Sequence, residues 1–368
     1  MNSKIHAGII GFGMAGRNMH YKALIEGLSD MVEVVAVCDK AVFPREGRDP
    51  GDYPLADSVA VYNDIEAFFA HPGLDSVHIT TPSGQHLEII EHAASSGKNI
   101  ICDKPLDVTL ARIDRAIALC KDSGVMLSVN FQLRLHPHRA LLKKVISEGK
   151  LGDIVEGCTE IKLYRQPEYY TESSWHGRFD FDGGAALMNQ GIHYIDLLQW
   201  LMGSPVTGVR KGVTERLVHT YIEAEDFGYG ELELESGAAM TIMGGTCFRP
   251  GFSQELEVKG ADGWAKVENG VITRAFWNGK DHIDDFGERK AVFGSVSSPV
   301  VGLENHVRCF RAAYEAFQKG SGVPVDGPEA RKSTEIILGI YRASETGQEV
   351  RFPFDPGYKP SGIQKKSI

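Results

Sequence analysis

No apolar run in the sequence approaches the ~20 residues that a membrane-spanning helix needs. Cysteine is scarce, six in 368 residues, and the nearest two, Cys102 and Cys120, stand 18 positions apart. Without a Cys-x-x-Cys pair, neither a zinc ribbon nor a redox dithiol is suggested, and reduced thiols are the simple expectation. Positive charge is also short: 39 Lys and Arg face 49 Asp and Glu, a formal net charge of -10, and Lys365-Lys366 is too brief to form a basic patch. Phosphate backbones need a clustered positive field, so nucleic acid is not an expected partner. Met1-Asn2-Ser3-Lys4 runs straight into an apolar strand with no secretory leader, which makes the cytoplasm the expected location and a membrane an unexpected partner.

What is present is an ordinary globular balance, 42% hydrophobic and 24% charged. At roughly 150 residues per domain this length implies two domains. Apolar strand-like runs at Ile5–Ile10, Val32–Cys38, Ser76–Thr80, Ile100–Cys102 and Val125–Asn130 alternate with helical stretches from Arg17 to about Leu28, at Asp64–His71, His86–Ser95 and Leu110–Lys121. Such alternation predicts right-handed βαβ units on a parallel sheet. After residue 150 the texture changes. Val155–Tyr164, Val206–Val218, Asp226–Leu234, Ala238–Gly244, Glu255–Lys259 and Ala265–Glu268 are strands with polar alternation, which suits an antiparallel sheet with one covered face. Helices are expected at Ala185–Met202, Asn305–Lys319 and Lys332–Thr346. The expected fold is an α/β Rossmann domain over 1–130, an α+β domain on a large, mostly antiparallel sheet over 131–353, and an extended tail over 354–368.

Gly11-Phe12-Gly13-Met14-Ala15-Gly16 matches Gly-x-Gly-x-x-Gly between a strand and a helix. The first glycine makes the tight turn, the second admits a pyrophosphate, and the third lets the helix pack against the strand with its N-terminus toward the anion. Asp39 ends the second strand, near the spacing for an acid that accepts from the adenosine ribose hydroxyls. It favours NAD, while neighbouring Lys40 leaves NADP possible. A glycine turn with a solvated loop acid is the plainer alternative, and the ordered succession of elements weighs against it. Thr80-Thr81-Pro82 closes another strand on the same sheet edge, where a pure capping role is equally compatible, and His86 is placed to help close the cofactor crevice.

Asp103-Lys104-Pro105 follows the apolar Ile100-Ile101-Cys102. A lysine at the carboxyl end of a parallel strand can donate to a substrate oxygen and stabilise developing negative charge. From the tripeptide alone, a surface lysine is the simpler description. In the stretch from Asp182 to Asp196, helical spacing stacks Asn189, His193, Asp196 and Trp200 on one stripe. A histidine there suits general acid/base work; a core histidine bonded to Asp196 is the competing description. Two ligands on that face are too few for zinc, so no metal is expected. His176, after Trp175, is either pocket-lining or a loop residue.

Together these motifs resemble the Gfo/Idh/MocA oxidoreductase family: Gly11–Gly16, Asp39, Thr81-Pro82-x-x-x-His86, Asp103-Lys104-Pro105, and Gly-Gly…Asn-x-Gly-x-His-x-x-Asp from Gly183 to Asp196. The resemblance implies an NAD(P)-dependent dehydrogenase acting on a ring carbinol of a sugar, cyclitol or sugar derivative, with a C-terminal domain that binds substrate and builds homodimers or homotetramers. It implies that Lys104 contacts the substrate hydroxyl and that His193 shuttles the proton. Asn189 and Trp175 would position the ring, Phe131, Gln132 and Arg134 would line the nicotinamide or substrate, and Gly11 to Ala15, Asp39, Lys40, Thr80, Thr81, Pro82, His86, Asp103 and Lys104 would hold the dinucleotide. Two departures stand out: Asp103 replaces the usual Glu, and Asn189 replaces a common Asp. Related readings are a glycosidase using bound NAD for transient oxidation and a non-catalytic dinucleotide-binding regulator.

Overall fold

A computed structural model describes residues 4–41, 44–251, 253–286 and 302–363. It divides into two compact units, Met1–Gln132 with Gly302–Arg331, and Leu133–Val301 with Lys332–Ile368.

In the first unit, β1 (Ile5–Ile10), β2 (Val32–Cys38), β3 (Ala60–Tyr62), β4 (Ser76–Ile79), β5 (Asn99–Cys102) and β6 (Leu127–Val129) form a parallel sheet in the order β3-β2-β1-β4-β5-β6. Strand β4 is buried along its whole length, as strands of a parallel sheet covered on both faces are. Strand order reverses between β1 and β4, and ligands of open α/β sheets bind beyond the carboxyl ends at such a switch point. Edge strand β3 is not foreseen from sequence, being three residues long with no buried position. The helix expected from Arg17 opens as a π-helix, Gly16–Tyr21, and becomes α-helical over Lys22–Gly27.

Helix Leu303–Lys319 belongs to this unit, although it lies far along the chain. Val307 occupies the space over Gly27, where an added Cβ would come within 2.4 Å of its Cγ2. Arg311 Nη2 donates to Gly27 O at 2.8 Å and to Asp30 at 2.9 Å. Tyr314 OH meets His78 Nε2 at 2.7 Å, and His78 Nδ1 lies 2.9 Å from His20 Nδ1. Burial pushes His20 down to about 4 and His78 well below its ordinary value, so this network is neutral at physiological pH.

In the second unit, β7 (Ile154–Lys162), β8 (Val206–Glu215), β9 (Phe227–Leu234), β10 (Ala239–Gly245), β11 (Gln254–Gly260), β12 (Gly263–Glu268), β13 (Val271–Trp277), β14 (Lys280–Asp281) and β15 (Val350–Arg351) form one sheet, ordered β14-β13-β12-β11-β7-β10-β9-β8-β15. All neighbours are antiparallel except β7 and β10. Strand alternation sorts the faces. Gly157, Thr159 and Ile161 point to the buried side, where Met202 Sδ and Leu198 of helix Ile192–Met202 would collide with a Cβ at Gly157. The opposite face is partly exposed and carries an ion ladder, with Lys266 bonded to Glu255 at 2.8 Å and Glu268 at 2.9 Å, and Lys259 to Glu156 at 3.1 Å.

Helix Gly327–Thr346 begins earlier than Lys332, and after it the chain runs without regular structure from Phe354 to residue 363. There the Phe354 and Tyr358 rings lie 5.9 Å apart and Ser361 N donates to Glu345 at 2.8 Å. Among the described residues, no helix is long and apolar enough to cross a membrane.

Candidate active site

The glycine turn has the geometry its three positions require. Gly11 adopts a φ of +88°, and an added Cβ would lie 2.6 Å from Thr81 N. A Cβ at Gly16 would lie 2.2 Å from Gly11 O, so the helix start presses directly on the turn. A Cβ at Gly13 would meet no protein atom within 4 Å, which leaves this residue, with exposed Met14 beside it, facing open space. Phe12 N donates to Asp39 Oδ2 at 2.8 Å and Ala41 N to Asp39 Oδ1 at 2.9 Å, so the carboxylate is held at the end of β2 beside the turn. Lys40 is exposed next to it.

Arg17 was not singled out from sequence. Its buried guanidinium donates to the carbonyls of Pro44 at 2.8 Å and Tyr53 at 2.8 Å, pinning the stretch that follows β2. Burial lowers its pKa, and nearby Asp52 offsets this in part. Thr80 Oγ1 donates to Gly11 O at 2.5 Å and so braces the turn. Pro82 precedes a single 3-10 turn, Ser83–Gln85. His86 is a buried clasp, with Nε2 3.0 Å from Thr81 O and Nδ1 3.0 Å from Pro105 O, joining the loops after β4 and β5.

The Lys104–Pro105 peptide is cis. Lys104, half-buried, stands two residues beyond the end of β5 at Cys102. Asp103 Oδ1 accepts from Lys104 N at 3.0 Å and from Asn130 Nδ2 at 3.3 Å. Desolvation pushes the Asp103 carboxyl up, but His20, the Lys104 ammonium and the Lys104 N–H outweigh it and hold the group below its ordinary value. Four buried oxygens in this unit, Thr81 Oγ1, Ser128 Oγ, Asn130 Oδ1 and Gln132 Oε1, have no hydrogen-bond partner among the described residues. Buried acceptors are rarely left unsatisfied. A dinucleotide brings ribose hydroxyl and carboxamide donors to this sheet edge, so the residues present fit NAD.

In the second unit the expected helix Ala185–Met202 is divided. Ala186–Gly191 is π-helical and Ile192–Met202 α-helical, a change of pitch that residue spacing does not reveal. Asn189, His193 and Trp200 are all partly exposed, whereas Asp196 is buried. Asp196 is held by Arg134, Nε to Oδ2 at 2.7 Å and Nη2 to Oδ1 at 2.6 Å, and by Ser333 Oγ at 2.9 Å. Arg134 is itself buried in that pair instead of presenting its charge to solvent.

Around Asn189 lies a polar cluster. Its Nδ2 donates to Asp182 Oδ1 at 2.5 Å, and Gly177 N donates to Asp182 Oδ2 at 2.8 Å. Gln190 Nε2 donates to Asn189 Oδ1 at 3.0 Å and to Tyr169 OH at 2.9 Å, while Arg165 donates to Gln190 Oε1. His176 stacks on Tyr169 with centroids 4.0 Å apart, and Trp175 lies 3.8 Å from His176. The sequence places Arg165 and Tyr169 only in a specificity loop, Arg165–Arg178, without individual roles, and gives Asp182 and Gln190 none, because only folding brings 165–182 onto the π-turn. Buried Glu225 was missed for the same reason. It accepts from Leu187 N at 2.8 Å, Ala185 N at 3.3 Å and Tyr341 OH at 2.8 Å, and burial pushes its carboxyl up to about 7.

Residues 5–131 match the model of the oxidoreductase family with an NAD-binding Rossmann fold, and residues 140–266 match the GFO/IDH/MocA C-terminal domain. Scyllo-inositol 2-dehydrogenase (NADP(+)) IolW of Bacillus subtilis is 26% identical over 362 residues, covering 94% of this chain and 95% of the relative. D-xylose 1-dehydrogenase [NADP(+)] of Haloarcula marismortui is 24% identical, covering 87% and 88%. Among solved structures, the WlbA dehydrogenase from Bordetella pertussis, in complex with NADH and UDP-GlcNAcA, superposes with a TM-score of 0.81 at 25% identity, covering 96% of this chain and 100% of that one. With the 3-2-1-4-5-6 sheet and its glycine turn in the first unit, and the large mixed sheet in the second, the chain belongs to the GFO/IDH/MocA family of oxidoreductases with an NAD-binding Rossmann domain.

Proposed function

We propose that the protein is a dehydrogenase that reversibly oxidises a ring carbinol of a sugar, cyclitol or sugar derivative. The observation that carries this reading is the succession of ligand-ready features on one sheet edge: the open space at Gly13, the oriented Asp39 carboxylate, and the unsatisfied acceptors of Thr81, Asn130 and Gln132 beside the Asp103-Lys104 turn. Bound NAD supplies the hydride acceptor at its nicotinamide. Gly11 to Ala15 hold the pyrophosphate and Asp39 the adenosine ribose, with NAD preferred over NADP because a carboxylate repels a 2'-phosphate. Lys104 donates to the substrate oxygen, and His193 takes the hydroxyl proton. Asn189 and Trp175 orient the ring. Arg134 acts through Asp196, holding helix Ile192–Met202, in place of the substrate contact that the sequence suggests.

The substrate class is supported by the dehydrogenases of scyllo-inositol and D-xylose among the relatives and by the uronic acid nucleotide in the WlbA complex. We further assign the protein to the cytoplasm as a homodimer or homotetramer, with the laddered face of the second sheet as the contact between copies; its alternating Lys and Glu rows suit a self-complementary pairing. The test is a panel of sugars, cyclitols and uronic acids assayed for NADH and NADPH formation. One or more members should give stoichiometric reduced cofactor, faster with NAD. Tight NAD binding with no turnover on any member contradicts the enzymatic reading.

A further inference from the structure

The hydrogen bonds around Asn189 run in one direction. Arg165 donates to Gln190 Oε1, Gln190 Nε2 donates to Asn189 Oδ1 at 3.0 Å, and Asn189 Nδ2 donates to Asp182 Oδ1 at 2.5 Å. Each amide thus receives on its oxygen and gives from its nitrogen, and the chain links a guanidinium to a buried carboxylate through two side chains. The second Asp182 oxygen is fixed by Gly177 N at 2.8 Å, and the guanidinium lies over the Tyr169 ring with its carbon 4.9 Å from the centroid. Asparagine and glutamine amides can otherwise rotate by half a turn, exchanging donor for acceptor. Here the charges at the two ends forbid that, since a reversed Asn189 would point its oxygen at the Asp182 carboxylate. Charge at both ends also polarises the bonds between them.

From this arrangement, and resting on the dehydrogenase reading above, we propose that Asp182 is a specificity-determining positioning residue. It sets the orientation of the Asn189 amide, on the π-turn that leads into His193, and so fixes which ring hydroxyl geometry that wall accepts. The carboxylate sits at the end of the short helix Phe179–Asp182 and the amide on the wall, and the two identities are interchangeable only as a pair. Asp182→Asn with Asn189→Asp would keep the bonds of the directed chain: the new amide donates to the new carboxylate and accepts from Gly177 N, and Gln190 Nε2 still donates to position 189. Asn189→Asp alone would set two carboxylates in contact at the present 2.5 Å.

The experiment compares the unmodified protein with N189D, D182N, the D182N/N189D double variant and R165Q, using the best substrate of the panel, NAD titration and thermal melting at one neutral pH. N189D should lose melting temperature and raise KM by about tenfold or more, a loss of order one broken charge-assisted bond. The double variant should recover melting temperature and most of KM. R165Q, at the half-buried end of the chain, should raise KM while leaving melting and NAD affinity unchanged. A double variant no better than N189D in melting overturns the directed chain. Recovered melting with KM unmoved throughout overturns the specificity role. If no panel member is oxidised by the unmodified protein, the dehydrogenase reading fails and the specificity role fails with it, while melting still decides the directed chain.

Discussion

The guanidinium of Arg134 grips the carboxylate of Asp196 with two bonds of 2.7 and 2.6 Å, and both side chains are almost sealed from solvent. Leaving either charge alone in that environment is costly. Arg134→Ala or Asp196→Ala should therefore lower unfolding stability by about 3–5 kcal/mol, since an uncompensated buried charge remains. Denaturant titration checks this; a loss under ~1 kcal/mol, the range of exposed pairs, would contradict it.

The three motif glycines should separate folding from binding. Gly16→Ala drives a methyl toward Gly11 O, 2.2 Å away, and should lower the melting temperature. Gly13→Ala meets no protein atom, so the chain should melt normally while NAD affinity, followed by calorimetry, falls about tenfold or more. Unchanged NAD affinity in Gly13→Ala would place the pyrophosphate elsewhere.

Asp39 should govern cofactor choice. With its carboxylate oriented by Phe12 N and Ala41 N, Asp39→Ser removes both the ribose acceptor and the repulsion of a 2'-phosphate. NAD should bind more weakly and NADP relatively better. Parallel losses for both cofactors would show that Asp39 only shapes the loop.

Glu225 gives the second unit a pH-dependent term. Its folded pKa, pushed up to about 7 by burial, lies above the ordinary value of 4.5, so the folded state binds the proton more tightly. The stabilising effect is full below the unfolded value and is lost as pH rises from about 4.5 through 7, on the order of 3 kcal/mol in all. Glu225→Gln cannot ionise. Melting curves between pH 5 and 8, a window set by these two values, should therefore show the difference between variant and unmodified protein shifting toward the variant as pH rises. Curves that stay parallel would mean that Glu225 does not titrate in this range.

Much of the fold was written in local sequence. The glycine turn, the buried strand runs and the polar alternation after residue 150 each report on near neighbours, and the observed elements follow them closely. Strand β13 could also have been found, because Asn269-Gly270 between Glu268 and Val271 is a two-residue hairpin signal, with positive φ at both positions. Asn278-Gly279 repeats it before β14. Other features were not legible. The placement of helix Leu303–Lys319 depends on Tyr314 meeting His78, 236 positions away, and the Arg134–Asp196 pair spans 62 positions. The site divides the same way. The candidates Gly11, Asp39, Lys104 and His193 stand out by motif, but the role proposed for Asp182 follows only from folding, which sets its carboxylate against Asn189.

The most direct test of the proposed chemistry is the turnover number of His193→Ala on a substrate that the unmodified protein oxidises, measured beside its NAD affinity. Loss of the proton acceptor should lower kcat by about two orders of magnitude or more, with NAD binding nearly intact. An unchanged kcat would remove His193 from the reaction and contradict the proposed chemistry.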